Sequence, residues 1–366
     1  MNCLQDDEVL DLPETPSRAC LAGLLDGGGP DQRLFDAAEA RLRRDIGPRV
    51  YLRGLVEISN RCRKNCFYCG LRRDCASVDR YTIPPEEILE ALEGGYRLGL
   101  RSFLLQSGEM LGKDHIETVA RLLRECSSVI PGSRMVLSLG ELPPETYDML
   151  REAGGDRYLL RIETSSPLLY RRYHPDDGVH SHRERLKALE YLRSSGWQTG
   201  TGVLIGLPEQ STEDLADDLL FMKGMDIDMI GMGPYIESPG TPMPELFEGI
   251  PAPGVRTLRT LRMIALARLM MPGINIAATT ALQTITPDGL ERGLMAGANV
   301  VMPNLTPSRY RENYDLYSGK TEVRDNPETM IAALRRRCGE TGRKIIMEDP
   351  GDPLHFLRRM EKGVDR

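Results

Sequence analysis

The sequence has no apolar run near the ~20 residues that cross a bilayer, so no membrane-spanning helix is expected. It also lacks a long basic tract. Its 47 Lys and Arg face 54 Asp and Glu, a net charge of −7, which argues against a nucleic-acid partner. The triplet Arg335 to Arg337 reads as a solvated helix face. The first residues, Met1-Asn2-Cys3-Leu4-Gln5-Asp6-Asp7-Glu8, lack the positive charge of a signal or transit peptide, and a cytoplasmic location is expected. Cysteine is scarce and unevenly spread, with eight in 366 residues and three of those within eight positions. In a long chain that pattern reads as metal binding in a reducing compartment, not as a disulfide framework. Cys3, Cys20, Cys75, Cys126 and Cys338 read as packed or incidental thiols. What is abundant is core material: 40% of residues are hydrophobic and 28% charged, a globular balance.

The three clustered cysteines lie in Ser59-Asn60-Arg61-Cys62-Arg63-Lys64-Asn65-Cys66-Phe67-Tyr68-Cys69-Gly70. Three thiolates on one loop can hold a soft metal centre, but they are one short of a closed iron–sulfur cube or a structural zinc. A catalytic cluster with one open iron fits the ligand count. A structural zinc needs a fourth ligand, and Cys75, the nearest, stands at irregular spacing. Incidental buried thiols are the third reading.

From Val50 onward short apolar runs alternate with helical patterns. The runs are Val50–Ile58, Ser102–Gln106, Met135–Leu139, Tyr158–Ile162, Gln198–Ile205, Met229–Met232, Asn275–Ala278 and Val300–Met302. Pro84-Pro85-Glu86-Glu87 opens a helix, Pro143-Pro144-Glu145 another, and Ser211 with Asp214 forms a capping box. Eight strands alternating with helices predict an α/β fold, a closed (β/α)8 TIM-type barrel, with a doubly wound open sheet as the alternative. Residues 1–49 read as an N-terminal helical extension, 50–320 as the barrel, and 321–366 as a C-terminal helical tail packed on it. In a barrel the chemistry collects at the carboxyl ends of the strands. The cysteine loop follows the first strand directly.

C-x3-C-x2-C with an aromatic before the last cysteine resembles the signature of radical S-adenosylmethionine (SAM) enzymes. Further stretches resemble the HydE family of FeFe-hydrogenase maturases. They include Leu105-Gln106-Ser107-Gly108-Glu109, Leu137-Ser138-Leu139-Gly140-Glu141, Asp156-Arg157-Tyr158-Leu159-Leu160-Arg161, Ala278-Thr279-Thr280-Ala281 and Thr306-Pro307-Ser308-Arg309-Tyr310-Arg311. The likeness runs from about Tyr51 to Lys320. Biotin synthase and methylornithine synthase belong to the same wider group and match fewer stretches.

The resemblance implies an oxygen-sensitive enzyme. Cys62, Cys66 and Cys69 would bind three irons of one [4Fe-4S] cluster, with the fourth iron held by SAM. One electron, from a donor such as ferredoxin or flavodoxin, would cleave SAM to methionine and a 5′-deoxyadenosyl radical. Glu163 and Arg185 match positions that hold the polar end of SAM. Tyr68, Gln106, Ser107, Gly108, Glu109 and Ser138 are the other candidate cofactor-binding residues. Arg161, Thr279, Thr280 and Tyr310 would line the substrate end, with Tyr314 beside them. The implied substrate is a cysteine-bound iron-cyanide-carbonyl species, and other hydrogenase maturation proteins are candidate partners. An amino-acid mutase or methylornithine-synthase-like enzyme is the alternative.

Two features depart from the family. Ile162 replaces a histidine that many members carry before the glutamate, and it is expected to bear on substrate choice. Only Cys338 remains where some members have a second cluster, so none is expected. His174, His180 and His182 read as surface residues of a polar loop. Met222, Met225, Met229 and Met232 read as core filler.

Overall fold

The computed structural model describes residues 12–13, 15–27, 31–314, 316–317 and 326–363. Cys3, the residues Gly28-Gly29-Pro30, Lys320 and the 320/321 boundary lie outside them.

Seven parallel strands follow one another around one sheet in chain order: Gly54–Ser59, Ser102–Ser107, Arg134–Ser138, Arg157–Leu159, Gln198–Thr201, Met229–Ile230 and Asn275–Ile276. The eighth strand, Val300–Val301, closes the ring. Val300 bridges Ala277 in parallel, and Asn304 bridges Leu55. The Leu55 N–H donates to Pro303 O at 2.8 Å, and Leu55 O accepts from Leu305 N at 2.7 Å. Closure removes both sheet edges and rules out the open-sheet alternative. The first strand also begins earlier, as Arg49–Leu52, and is interrupted at Arg53. Its side chains alternate: Val56 and Ile58 pack outward under the helices, while Leu55 and Glu57 face the barrel interior. The runs at Gln198–Ile205 and Met229–Met232 are each broken by glycine, leaving the short pair Leu204–Ile205 and Gly233–Pro234 beyond the break. Gly202 explains one break, since a Cβ there would lie 2.0 Å from Gly231 O.

Helices cover the ring. Pro85–Arg97 and Pro144–Glu152 start on proline, which suits a first turn whose N–H groups have no acceptor. Thr212–Gly224 begins with the expected capping box, Ser211 and Asp214 each bonding the other's backbone. Arg18–Asp26 packs on Thr212–Gly224, and Asp31–Asp45 on Pro253–Met270. No described helix is long and apolar enough to cross a membrane.

A short strand that periodicity did not reveal, Lys344–Ile346, pairs with Arg49–Leu52. The chain after it seals the amino-terminal end of the barrel. There the buried Arg157 donates to Gln198 Oε1, Ser102 Oγ, Pro350 O and Asp352 Oδ1 at 2.7–2.9 Å. The last helix, Leu354–Glu361, is anchored by Arg359, which forks onto the buried Asp228 at 2.8 and 2.9 Å. Cys75, Cys126 and Cys338 are buried and free, as read from their scatter. Cys20 is partly buried and packs against the main core. Arg337 corrects the reading of its triplet, since it forks onto Glu291 while Arg335 and Arg336 are exposed.

Candidate active site

The cysteine loop leaves the first strand at the open end of the barrel, and its backbone is fastened from several sides. Asn60, fully buried, donates to Asp79 O and Asn313 O and accepts from Tyr81 N. Arg80 donates to Asn60 O, Leu71 O, Arg72 O, Arg73 O and Cys75 O, tying the loop at five carbonyls. Gly108, at the end of the second strand, makes its close approach to this loop. A Cβ there would lie 2.3 Å from Arg61 O and 2.6 Å from Cys62 Cβ. The neighbouring Glu109 N–H points at Cys62 Sγ, 3.3 Å away.

A cavity of about 310 Å³, within the range of small-molecule sites, runs from the thiols into the barrel. It brings together Cys62, Cys66, Cys69, Tyr68, Gln106, Ser107, Gly108, Glu109, Ser138, Arg161, Glu163, Arg185, Thr279, Thr280 and Tyr314. Tyr310 is not among its lining residues. Its ring packs on Tyr81, and its hydroxyl reaches Glu87 Oε1 at 3.3 Å on the outside. Tyr314 takes the interior place, its hydroxyl accepting from Gln106 Nε2 at 3.1 Å. Ile162 does not line the cavity either. It is fully buried in the main core, so its side chain is turned away from any ligand in the cavity.

Charge is arranged as a chain. Arg63 donates to Glu109 Oε1 at 2.7 Å, Lys64 to Glu141 Oε2 at 3.0 Å, and Arg185 Nε to Glu141 Oε1 at 2.5 Å. Glu109 Oε2 accepts from Glu141 N at 2.8 Å, so both Glu109 oxygens are committed within the protein. Burial opposes the Arg185 charge, but Glu141 and its other neighbours outweigh it and hold it well above the usual guanidinium value. Burial likewise opposes the Glu141 carboxylate, and Arg185 and Lys64 reverse that.

Against this paired side stands an unpaired one. Arg161 Nε, Glu163 Oε2, Thr279 Oγ1 and Tyr235 Oη are buried and have no hydrogen-bond partner among the described residues. Glu163 Oε2 is 3.0 Å from Arg161 Nη2, close enough for ion pairing. Glu163 also holds φ +67, a left-handed conformation that costs a non-glycine residue about 1 kcal/mol. Strain and unmet polar groups at one cavity wall are what a ligand site leaves behind.

Sequence reasoning missed several groups. Tyr235 and Glu57 line the cavity, and Glu57 is buried, accepting from Asn304 Nδ2 at 3.1 Å. The position of Tyr235 at a strand end was the available signal. The histidines are a correction. His174 is buried and His180's side chain is 1% exposed, both against the cysteine loop and not at the surface.

Burial pushes all three thiols up, Cys66 to about 12. They become thiolates when a metal takes the proton's place. Among the described residues no three His, Cys, Asp or Glu converge as ligands of one ion would.

A profile of the radical SAM superfamily matches residues 56–222. With this barrel, this loop and the relative that follows, the chain belongs to the radical SAM superfamily. More particularly, it is 43% identical over 318 residues to the FeFe-hydrogenase maturase subunit HydE of Thermotoga maritima, covering 86% of this chain and 87% of that one. It is a HydE-like radical SAM enzyme. Methylornithine synthase (PylB) superposes with a TM-score of 0.77 at 25% identity, covering 91% of this chain and 94% of that one. The FeFe-hydrogenase maturase HydG from Carboxydothermus hydrogenoformans shares the fold, with a TM-score of 0.76 at 19% identity over 90% and 76% of the two chains. The family implies an iron–sulfur cluster and SAM. The residues fit both: three free thiols on one loop, and in the same cavity a buried, strained carboxylate whose Oε2 makes an ion pair with Arg161 but has no hydrogen-bond partner among the described residues.

Proposed function

We propose that Cys62, Cys66 and Cys69 hold three irons of one [4Fe-4S] cluster and that SAM occupies the adjoining cavity. The observation that carries this is the juxtaposition in one cavity of the three-thiol loop with Arg161, Glu163, Thr279 and Tyr235, each of which has a buried polar atom without a hydrogen-bond partner among the described residues. When bound, the reduced cluster supplies the electron that cleaves SAM to methionine and a 5′-deoxyadenosyl radical.

The chain's own residues bind, orient and exclude. Glu163, strained and ion-paired with Arg161, would receive the ammonium of SAM. Arg185 is held by Glu141 at Nε and by Arg161 O at Nη1, and would meet the SAM carboxylate with Nη2. Ser107 and Ser138 bond its adenosine, and Tyr68 walls the site. Arg161, Thr279 and Thr280 face the far end of the cavity, where a guanidinium and two hydroxyls suit an anionic ligand. Apolar Leu55, Leu104, Leu159 and Met302 form the floor and keep water from the radical.

By likeness to HydE, the substrate is a cysteine-bound iron-cyanide-carbonyl precursor, attacked at sulfur during assembly of the hydrogenase diiron cofactor. The electron donor is a ferredoxin or flavodoxin. The likeness to methylornithine synthase keeps a small amino-acid-derived substrate as the second reading. The test is anaerobic reconstitution with SAM and dithionite, assaying 5′-deoxyadenosine with the iron–cysteine complex and with amino acids separately. Turnover with the complex alone supports the first reading, and turnover with amino acids alone supports the second. No SAM cleavage under any condition sinks both.

A further inference from the structure

The segment after the fourth strand grips the cysteine loop at four points. Phe67 N–H donates to Tyr173 O at 3.0 Å, and Lys64 Nζ to Val179 O at 2.6 Å. Asn65 N–H donates to His180 Nε2 at 3.1 Å, and the Tyr68 hydroxyl meets His174 Nε2 at 3.0 Å.

The tautomers of both histidines follow from their partners. A backbone N–H can only donate, so His180 Nε2 is bare and its proton is on Nδ1, which donates to Asp177 Oδ1 at 2.9 Å. The same Asp177 oxygen accepts from Val179 N and His180 N, fixing the turn that carries the ring. A carbonyl can only accept, so His174 Nδ1 donates to Tyr170 O at 2.7 Å and its bare Nε2 accepts from Tyr68. Two rings thus present bare nitrogens to a loop that has donors to satisfy. His180 is the nearer to the thiols, its Nε2 lying 3.6 Å from Cys66 Sγ.

We propose that His180, held by Asp177, is a positioning residue that fixes the backbone between Cys62 and Cys66 in its cluster-binding shape, with His174 doing the same for Tyr68. The proposal rests on the reading of this loop as a cluster site. Its physical content is simple: without the imidazole, the buried Asn65 N–H loses its acceptor and the ligand loop loosens.

The experiment compares wild type, His180→Ala and His180→Gln as full chains under anaerobic conditions. Iron and sulfide content, iron release to a chelator, and the EPR spectrum of the reduced cluster with and without SAM are measured. Limited proteolysis of the metal-free proteins is run alongside. His180→Ala is expected to release iron roughly tenfold faster, the size expected for one buried N–H left unpaired. Its EPR g-values shift. His180→Gln recovers most of both, because its amide oxygen can accept from Asn65. Wild-type release rates and spectra in His180→Ala, or a His180→Gln no better than His180→Ala, overturn the proposal. If wild type takes up no cluster, the cluster reading falls by itself. The strut is then judged on the metal-free loop: faster cleavage within residues 60–75 in His180→Ala supports it, and unchanged cleavage overturns it.

Discussion

The two ends of the barrel differ in what their buried polar groups face. At the amino-terminal end, Arg157 has four acceptors and Asp228 is shared by Arg359 and His355. Not every group there is met: Arg53 Nε and Nη2, Arg343 Nε and Nη1, Trp197 Nε1 and Ser133 Oγ have no hydrogen-bond partner among the described residues, and burial disfavours the Arg53 charge. At the carboxyl-terminal end, the buried atoms without a hydrogen-bond partner include four on residues of the cavity wall, and Glu163 among them is strained. The sealed end spends its polar groups on cohesion. The open end joins Lys64, Glu109, Glu141 and Arg185 in pairs but also leaves polar atoms of the cavity wall unmet, and a group not yet satisfied by its own protein has most to gain from a ligand. The same fold therefore separates stability from binding along one axis.

Four substitutions sharpen or break that contrast. The largest effect is expected from Cys66→Ala at the open end. It should abolish the iron–sulfur absorbance of the reconstituted protein and leave the urea midpoint of the metal-free chain nearly unchanged. A large loss of metal-free stability would break the division between the ends. At the sealed end, Asp352→Ala strands the buried Arg157 and should cost about 3 kcal/mol in urea unfolding. Cluster uptake by the folded fraction should stay at the wild-type level.

Glu163→Gly crosses the contrast, because its two effects have opposite signs. SAM cleavage should fall about 100-fold with the lost charge-assisted contact. Stability should rise by up to about 1 kcal/mol, since glycine accepts φ +67 without strain. Loss of both would mean that Glu163 is a structural residue.

The smallest effect concerns Asp218, buried behind the tail of the fourth strand, where Oδ1 accepts from Ser165 N at 2.6 Å. Burial raises its carboxyl from 3.8 to about 7. The folded state therefore holds this proton more tightly than the unfolded one. The resulting stability is fully present below pH 4 and is lost as the pH rises through 7. Asp218→Asn should remove that loss, flattening urea stability between pH 5 and 8 by about 2 kcal/mol. An unchanged pH slope would show that Asp218 is ionised throughout.

Much of the site was legible because it is local. Cys62, Cys66 and Cys69 share one loop, and Glu163 and Thr279 follow strands whose apolar runs are plain. Tyr310 and Tyr314 were not separable, because they sit in the irregular chain after the eighth strand, where no period tells inside from outside. Ile162 was read as a neighbour of the ligand because it precedes Glu163 in sequence. Strand alternation turns its side chain into the core instead. The histidines looked exposed because their loop is polar, yet the polar groups of that loop are spent on the cysteine loop.

The sequence by itself determined the thiol loop, the order of strands and helices, and the barrel they predict. These depend on spacing and periodicity, which are properties of neighbouring residues. Only the tertiary structure decided which polar groups are left without partners, which tyrosine enters the cavity, and that His174 and His180 hold the ligand loop. Those outcomes depend on contacts between residues about 100 or more positions apart, such as Asn65 with His180 and Gln106 with Tyr314. Pairing across such distances is set by packing of the closed barrel, and no local pattern records it.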